Sequence, residues 1–299
     1  MSSRHMLVVA HTGRSDARQA ASDVCDQLRH AGLTPVVAPR GNSLRAEVQG
    51  TSLTLGTDVS LGDIELTIVL GGDGTILGAA ELTRGSAAPL LGINHGHVGF
   101  LAESERDDLA WTVQRAVAGE YDVDERLVLD VVLMQGDTEI YRTFALNEAT
   151  VEKASPARMI EVALEIDGRP LSIFGADGVV MATPTGSTAY SFSAGGPVVW
   201  PGVEALLMVP LSAHALFARP LVVGPDSVMA VEVLEHSTAP AVLWCDGRRG
   251  TDIEPGSRVV ATRSREPIRL ARLHPGPFTD RLVKKFGLPV TGWRGPLGT

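Results

Sequence analysis

The chain opens in a rhythm of alternating strands and helices. MLVVAHT, from Met6, is an unbroken apolar run of strand length. SDARQAASDVCDQLRHAG then spaces Ala, Val and Leu at helical intervals, opened by Ser15 or Asp16 and closed by Gly32. TPVVAP reads as a second strand, and Arg40 to Gly62 follows no single period. IELTIVL is another strand, TILGAAELTRG a second helix and APLLGINHG one more strand. Strands alternating with helices predict a parallel, doubly wound α/β sheet, whose ligands gather at the carboxyl ends of its strands.

After about Tyr121 the period shortens to two. RLVLDVVLMQGDTEIYRTFALNEATVE reads as strand, turn and strand about Gly136-Asp137. MIEVALEIDGRPLSIFGADGVVMAT is a further hairpin, turning at Asp167-Gly168. SVMAVEVLE, AVLWCDG and SRVVATRS continue in β style, and PFTDRLVKKFGLPVTGW closes the chain as a short amphipathic helix and tail. The expected organisation is an α/β N-terminal domain over 1–122 and a β-rich, sandwich-like domain over 123–270. A C-terminal helix and tail over 271–299 would return to the first domain.

Composition narrows the function. A net charge of −9 and only 5% aromatic residues argue against nucleic acid and against an anionic membrane surface. The N-terminus has a five-residue apolar run and no cleavage-site pattern, and no stretch approaches the ~20 apolar residues of a membrane span. Cys25 and Cys245 imply no disulfide framework. A cytoplasmic protein is expected.

The chemistry concentrates in GGDGT, Gly71 to Thr75, between a strand and a helix. A P-loop needs a lysine after its last glycine, and none precedes Lys153. Gly72, Gly74 and Gly78 miss the dinucleotide fingerprint by one residue, and Asp73 would repel a pyrophosphate. A carboxylate there is useful if a hydroxyl must lose its proton while neighbouring amides hold phosphates. The competing reading makes Asp73 a cap for the helix that follows. His95 and His97 form a short H-x-H without a third ligand, so no metal site is assigned.

Further motifs follow: LNEATVEK from Leu146, DGVVMATPTGSTAYSFSAGGPVVWP from Asp177, HALFARPLVV from His214 and CDGRR from Cys245. In order and spacing, GGDGT and these motifs resemble the NAD kinases over nearly the whole chain, and FTDRLVKKFGLPVTGWRG resembles actinobacterial members. GGDGT alone is shared with diacylglycerol and sphingosine kinases and, in variant form, phosphofructokinases.

The resemblance implies that Asp73 is the general base for phosphorylation of the adenosine 2′-hydroxyl of NAD, and that Gly74 presents amides to phosphate. It implies dinucleotide contacts from Asn147, Glu148, Asp177, Thr188, Ala189, Tyr190 and Ser193, and positive potential from Arg158. The dinucleotide would lie between the two domains. Left to their residue types, Asn147-Glu148 reads first as a solvated strand end and Arg158 as a surface arginine, and Asp177 is accounted for by turn chemistry. Ser187 or Thr188 could cap a helix whose N-terminus faces phosphate. Arg248 occupies a variable family position, and Gly78 stands where some relatives carry a basic residue. Gly175 stands where a small residue accompanies use of NADH. ATP or inorganic polyphosphate is the implied donor, with Mg²⁺ carried by the nucleotide, and a homodimer or homotetramer is the implied assembly. The alternatives are another GGDGT-type kinase, for lipid or sugar, and a non-catalytic NADP-binding protein.

Overall fold

The computed structural model describes residues 4–11, 13, 15–94, 99–102, 104–105, 109–273 and 276–290. It contains two compact units, Met1–Glu125 with Ile268–Thr299, and Arg126–Pro267. The first unit begins with β1 (His5–Ala10), α1 (Ser15–His30), β2 (Val36–Val37), β3 (Leu53–Thr54) and β4 (Ile64–Leu70). It continues with α2 (Asp73–Leu82), β5 (Leu90–Asn94), β6 (Ser104–Glu105), α3 (Leu109–Ala118) and β7 (Asp122–Arg126).

The second unit holds β8 (Leu129–Gln135), β9 (Thr138–Ala145), β10 (Glu148–Lys153), β11 (Ile160–Ile166), β12 (Arg169–Ala176) and β13 (Gly178–Ala182). The single-turn helix α4 (Tyr190–Ser193) precedes β14 (Leu206–Leu211), β15 (Leu221–Val223), β16 (Met229–Val233), β17 (Ala241–Cys245), β18 (Arg249–Ile253) and β19 (Ser257–Arg263). β20 (Ile268–Arg272) and α5 (Phe278–Phe286) then return the chain to the first unit.

The first unit's sheet runs β3-β2-β1-β4-β5-β20-β7, with β6 beside β5, and its β3-to-β20 neighbours are parallel. β20 begins inside the stretch assigned from sequence to the β-rich domain, yet it pairs with β5, Leu270 opposite Leu90. Five residues of buried and half-buried side chains suit either sheet, and strand pairing over this sequence separation is not written locally. α1 buries Ala17, Ala20, Ala21, Val24, Cys25 and Leu28, the single face its spacing predicts, in a core shared with Met6, Val8, Ile68 and Leu91.

The second unit is a sandwich of two antiparallel sheets, β15-β14-β13-β10-β17-β18 and β12-β11-β16-β19-β8-β9. Both contribute alternate residues to one core, among them Val131, Val151, Met181, Leu243 and Val259. β13 and β14 are buried on both faces, because Val180, Ala182, Leu207 and Val209 pack in a separate cluster with Val199. Turns form where the sequence placed them: Asp167 and Gly168 both take positive φ, 55° and 71°, as a two-residue hairpin loop requires. Among the described residues no helix is long and apolar enough to cross a membrane.

The sandwich core should dominate stability. Leu243→Ala, at a fully buried β17 position, is expected to cost about 2–5 kcal/mol in denaturant unfolding. Val222→Ala, on the exposed part of β15, should stay within about 0.5 kcal/mol.

Candidate active site

In the first unit the site is built at the end of β4. The strand is buried almost throughout and delivers Gly71 to a point where its N–H bonds Ile93 O at 2.9 Å. Gly71 is required here twice over. Its φ is +153°, and a Cβ would stand 2.3 Å from Thr75 Oγ1. α2 starts at Asp73 with Gly72 as its N-cap and no side-chain cap bond, so the expectation of an aspartate cap is not met.

The Asp73 side chain points elsewhere. Its Oδ2 accepts the Phe100 N–H at 3.0 Å and its Oδ1 the Leu101 N–H at 3.1 Å. Gly99 leaves room for this grip, since a Cβ there would lie 2.3 Å from Asp73 Oδ1. Two amides and a place in the first turn of α2 fix the direction of the carboxylate. Each carboxylate oxygen keeps a lone pair for a further hydrogen. Gly74 is exposed, with open space where a side chain would be, so backbone can meet a ligand there.

The second unit carries a candidate cluster of its own, around the start of β10. Asn147 is held by its backbone: its N–H donates to Asp246 Oδ1 at 2.7 Å, and its carbonyl accepts from Thr183 N at 2.9 Å. Thr183 Oγ1 also donates to Leu146 O at 2.6 Å. Gly186 packs so closely that a Cβ would fall 2.0 Å from Asn147 O, backbone against backbone. Among the described residues the Asn147 amide side chain has no hydrogen-bond partner, which leaves it available to a ligand.

Glu148 is buried rather than solvated, and Tyr190 N–H reaches its Oε2 at 3.4 Å. Tyr190 Oη in turn approaches Glu152 Oε2 at 3.5 Å, and Lys153 Nζ pairs with Asp177 Oδ1 at 2.5 Å. The Lys153 ammonium holds the Asp177 carboxyl below its usual range. Glu148 and Tyr190 thus meet through a hydrogen bond, with Ala189 at the N-terminus of α4, and Asp246 ties the neighbouring Asn147 to them by accepting its N–H and donating its own to Glu148 O.

Other predicted residues lie outside that network. Arg158 is exposed and bonds Thr238 Oγ1 at 3.2 Å. Ser193 is exposed, and Thr188 Oγ1 donates to Thr185 O at 3.3 Å. Gly175 forms an isolated bridge to His214. The proposed helix cap at Ser187 or Thr188 is corrected: α4 is four residues long and its N-cap is Ala189, without a side-chain cap. Ser187 is buried and spends its hydroxyl on Pro184 O and on Val199, which fixes the loop internally. His95 and His97 lie outside the described residues, among which no three His, Cys, Asp or Glu side chains are arranged to hold a metal ion.

Sequence reasoning missed Asp246 and Arg249, although it quoted their motif. Asp246 sits in the β17–β18 turn with φ 54°, and Gly247 follows at 61°. Aspartate-glycine reads as ordinary turn chemistry, which hides the second use of its carboxylate. Oδ2 of Asp246 accepts Leu146 N–H at 3.0 Å and Arg249 Nη2 at 2.7 Å. The Arg249 guanidinium also donates to Phe144 O at 2.8 Å and lies 4.0 Å from the Phe144 ring centroid. Arg248, the neighbour singled out from sequence, is exposed.

The buried acids give the unit a pH signature. Burial pushes Glu148 up to about 8 from an ordinary 4.5, the Asp246 charge adds to the rise, and the Tyr190 N–H opposes it. Between those values the folded chain keeps a proton that the unfolded chain has released, so stability falls as pH rises across that window. Glu148→Gln cannot titrate and should flatten the decline. Denaturant midpoints of both proteins at about pH 5.5 and 8.5 check it; equal declines in the two would assign the effect to another group.

Known proteins match this chain over both units. The family model for the ATP-NAD kinase N-terminal domain matches residues 6–121, and that for the C-terminal domain matches residues 146–273. An NAD kinase of Leifsonia xyli is 63% identical, with 99% of this chain and 98% of its own length covered. One from Thermobifida fusca is 57% identical over 98% of this chain and 92% of its own. Yeast NADH kinase, solved with NADH, superposes with a TM-score of 0.83 at 23% identity, covering 97% of this chain and 89% of its own. An Archaeoglobus fulgidus NAD kinase, solved with ATP, gives 0.72 at 24% identity, covering 96% and 100%. Those two structures establish the fold in common, and the matched domains with the close bacterial relatives establish the lineage. The chain belongs to the NAD kinase family of phosphotransferases.

Proposed function

We propose that this chain transfers the γ-phosphoryl group of ATP to the 2′-hydroxyl of the adenosine ribose of NAD, giving NADP and ADP. Asp73 acts as the general base. As the ribose oxygen forms its bond to phosphorus and the bridging P–O bond to ADP breaks, the hydroxyl proton passes to a carboxylate oxygen of Asp73. The observation that carries this reading is the Asp73 carboxylate turned away from capping and gripped by Phe100 and Leu101 amides. That grip fixes its direction and leaves acceptor capacity for a hydroxyl.

Asn147 offers an amide to the adenine edge, and Glu148 offers its carboxyl to ribose hydroxyls. Asp177, Thr188, Ala189, Tyr190 and Ser193 complete the dinucleotide contacts, and Arg158 contributes positive charge. Gly74 presents its amide to phosphate. Mg²⁺ enters with the nucleotide as part of the substrate, ligated by phosphate oxygens and water, which suits an ion that sheds water reluctantly. Inorganic polyphosphate is the alternative donor. The protein works in the cytoplasm as a homodimer or homotetramer.

A product assay crossing NAD and NADH with ATP and polyphosphate tests the reading, which requires NADP from NAD and ATP. Asp73→Asn should keep NAD affinity and lower kcat by about 10²- to 10⁴-fold. Intact turnover in that variant would remove Asp73 as base. Gly175 adds a specificity test. A Cβ there would make ordinary contact with Met159, 3.6 Å at its nearest, so the backbone admits a residue other than glycine. Gly175→Arg is therefore expected to fold and to lower kcat/KM for NADH more than for NAD; an unchanged ratio would free Gly175 of that role.

A further inference from the structure

The peptide groups that hold Asp73 are themselves held from behind. Arg281 Nη1 donates to Phe100 O and to Ala102 O, both at 3.0 Å. Arg272 Nη1 donates to Leu101 O at 3.1 Å. The carbonyl of Phe100 and the N–H of Leu101 belong to one planar peptide. That peptide therefore stands between the Arg281 guanidinium on its oxygen and the Asp73 carboxylate on its nitrogen. A cation on the carbonyl and an anion on the N–H polarise a peptide in the same direction, so each bond strengthens the other.

The element carrying Arg281 is suited to set this geometry. α5 has nine residues, too few to be a stable helix in isolation, so it is ordered by what it packs on. Phe278 and Phe286 bring their rings to 5.8 and 5.9 Å from the ring of Phe100, flanking Arg281 in sequence. Gly287 ends the helix at φ 59°, with Leu288 N–H bonded to Val283 O. α5 lies beyond residue 273, where the C-terminal family match stops.

We propose that Arg281, carried by α5, is a positioning residue for Asp73: it fixes the 100–102 backbone whose amides aim the carboxylate. The proposal rests on the reading of Asp73 as base. A misaimed base slows the chemical step and leaves dinucleotide binding alone. Arg281→Gln should therefore lower kcat by about 10- to 100-fold with KM for NAD unchanged. Arg281→Lys, which keeps a cationic donor, should recover part of the loss.

A double-mutant cycle separates positioning from general damage. Once Asp73→Asn has removed the base, adding Arg281→Gln should cost nothing more. Wild-type kcat in Arg281→Gln, an equal loss in both Asp73 backgrounds, or a rise in KM alone would each overturn the proposal. Where Arg281→Gln does not fold, Phe278→Leu loosens α5 on Phe100 without touching a polar contact. It should show a smaller loss of kcat at constant KM, and unchanged kcat there overturns the proposal equally. Full turnover in Asp73→Asn would instead sink the reading of the base, a result distinct from any failure at Arg281.

Discussion

A carboxylate among glycines at the mouth of a helix keeps its aim only if donors reach it. The two bonds from Phe100 and Leu101 to Asp73 supply those donors, and the loop residues of the first unit are arranged around them. β4 and Gly71 set the start of α2, which places the Asp73 Cα. Gly99 clears the space on the other side. A carboxylate in a phosphate-type loop is thereby accommodated: it is partnered by backbone donors before any ligand arrives.

The second unit solves a different problem by related means. Asn147 and Glu148 sit where β10 begins, and a strand end would ordinarily fray. Asp246 pins the Leu146 and Asn147 amides, Arg249 neutralises Asp246, and Thr183 with Gly186 closes the carbonyl side. Backbone fixed beneath an amide side chain that has no partner among the described residues limits the ordering entropy that ligand binding must offset. Keeping two carboxyls buried near each other costs stability, and that cost is visible in the raised proton affinity of Glu148.

Much of this was legible in the chain, and the limits have physical causes. The strand-GGDGT-helix junction, the face of α1 and the Asp167-Gly168 turn follow from local period and φ requirements, so they could be read. The partners of Asp73 could not, because Phe100 and Leu101 act through backbone amides that no side-chain pattern announces. Asp246 was hidden by its adequacy as a turn residue, and the burial of Glu148 by a composition that suits a solvated strand end. The small-residue run after Thr183 suggested a capped helix, whereas Ser187 turns its hydroxyl inward to tie the loop to Val199.

The place of β20 in the first sheet carries a consequence for how the molecule is made. Residues 268–272 lie between β5 and β7 in the strand order, so the sheet that bears Asp73 is missing an interior member until the sandwich residues have all been synthesised. On the ribosome, the edges of β5 and β7 wait unpaired while the sandwich, continuous in sequence, can already collapse. Chains that stall or are clipped before Ile268 would leave a sheet edge open to foreign strands. Expression of this protein should therefore be most sensitive to chaperone supply during the last stretch of translation.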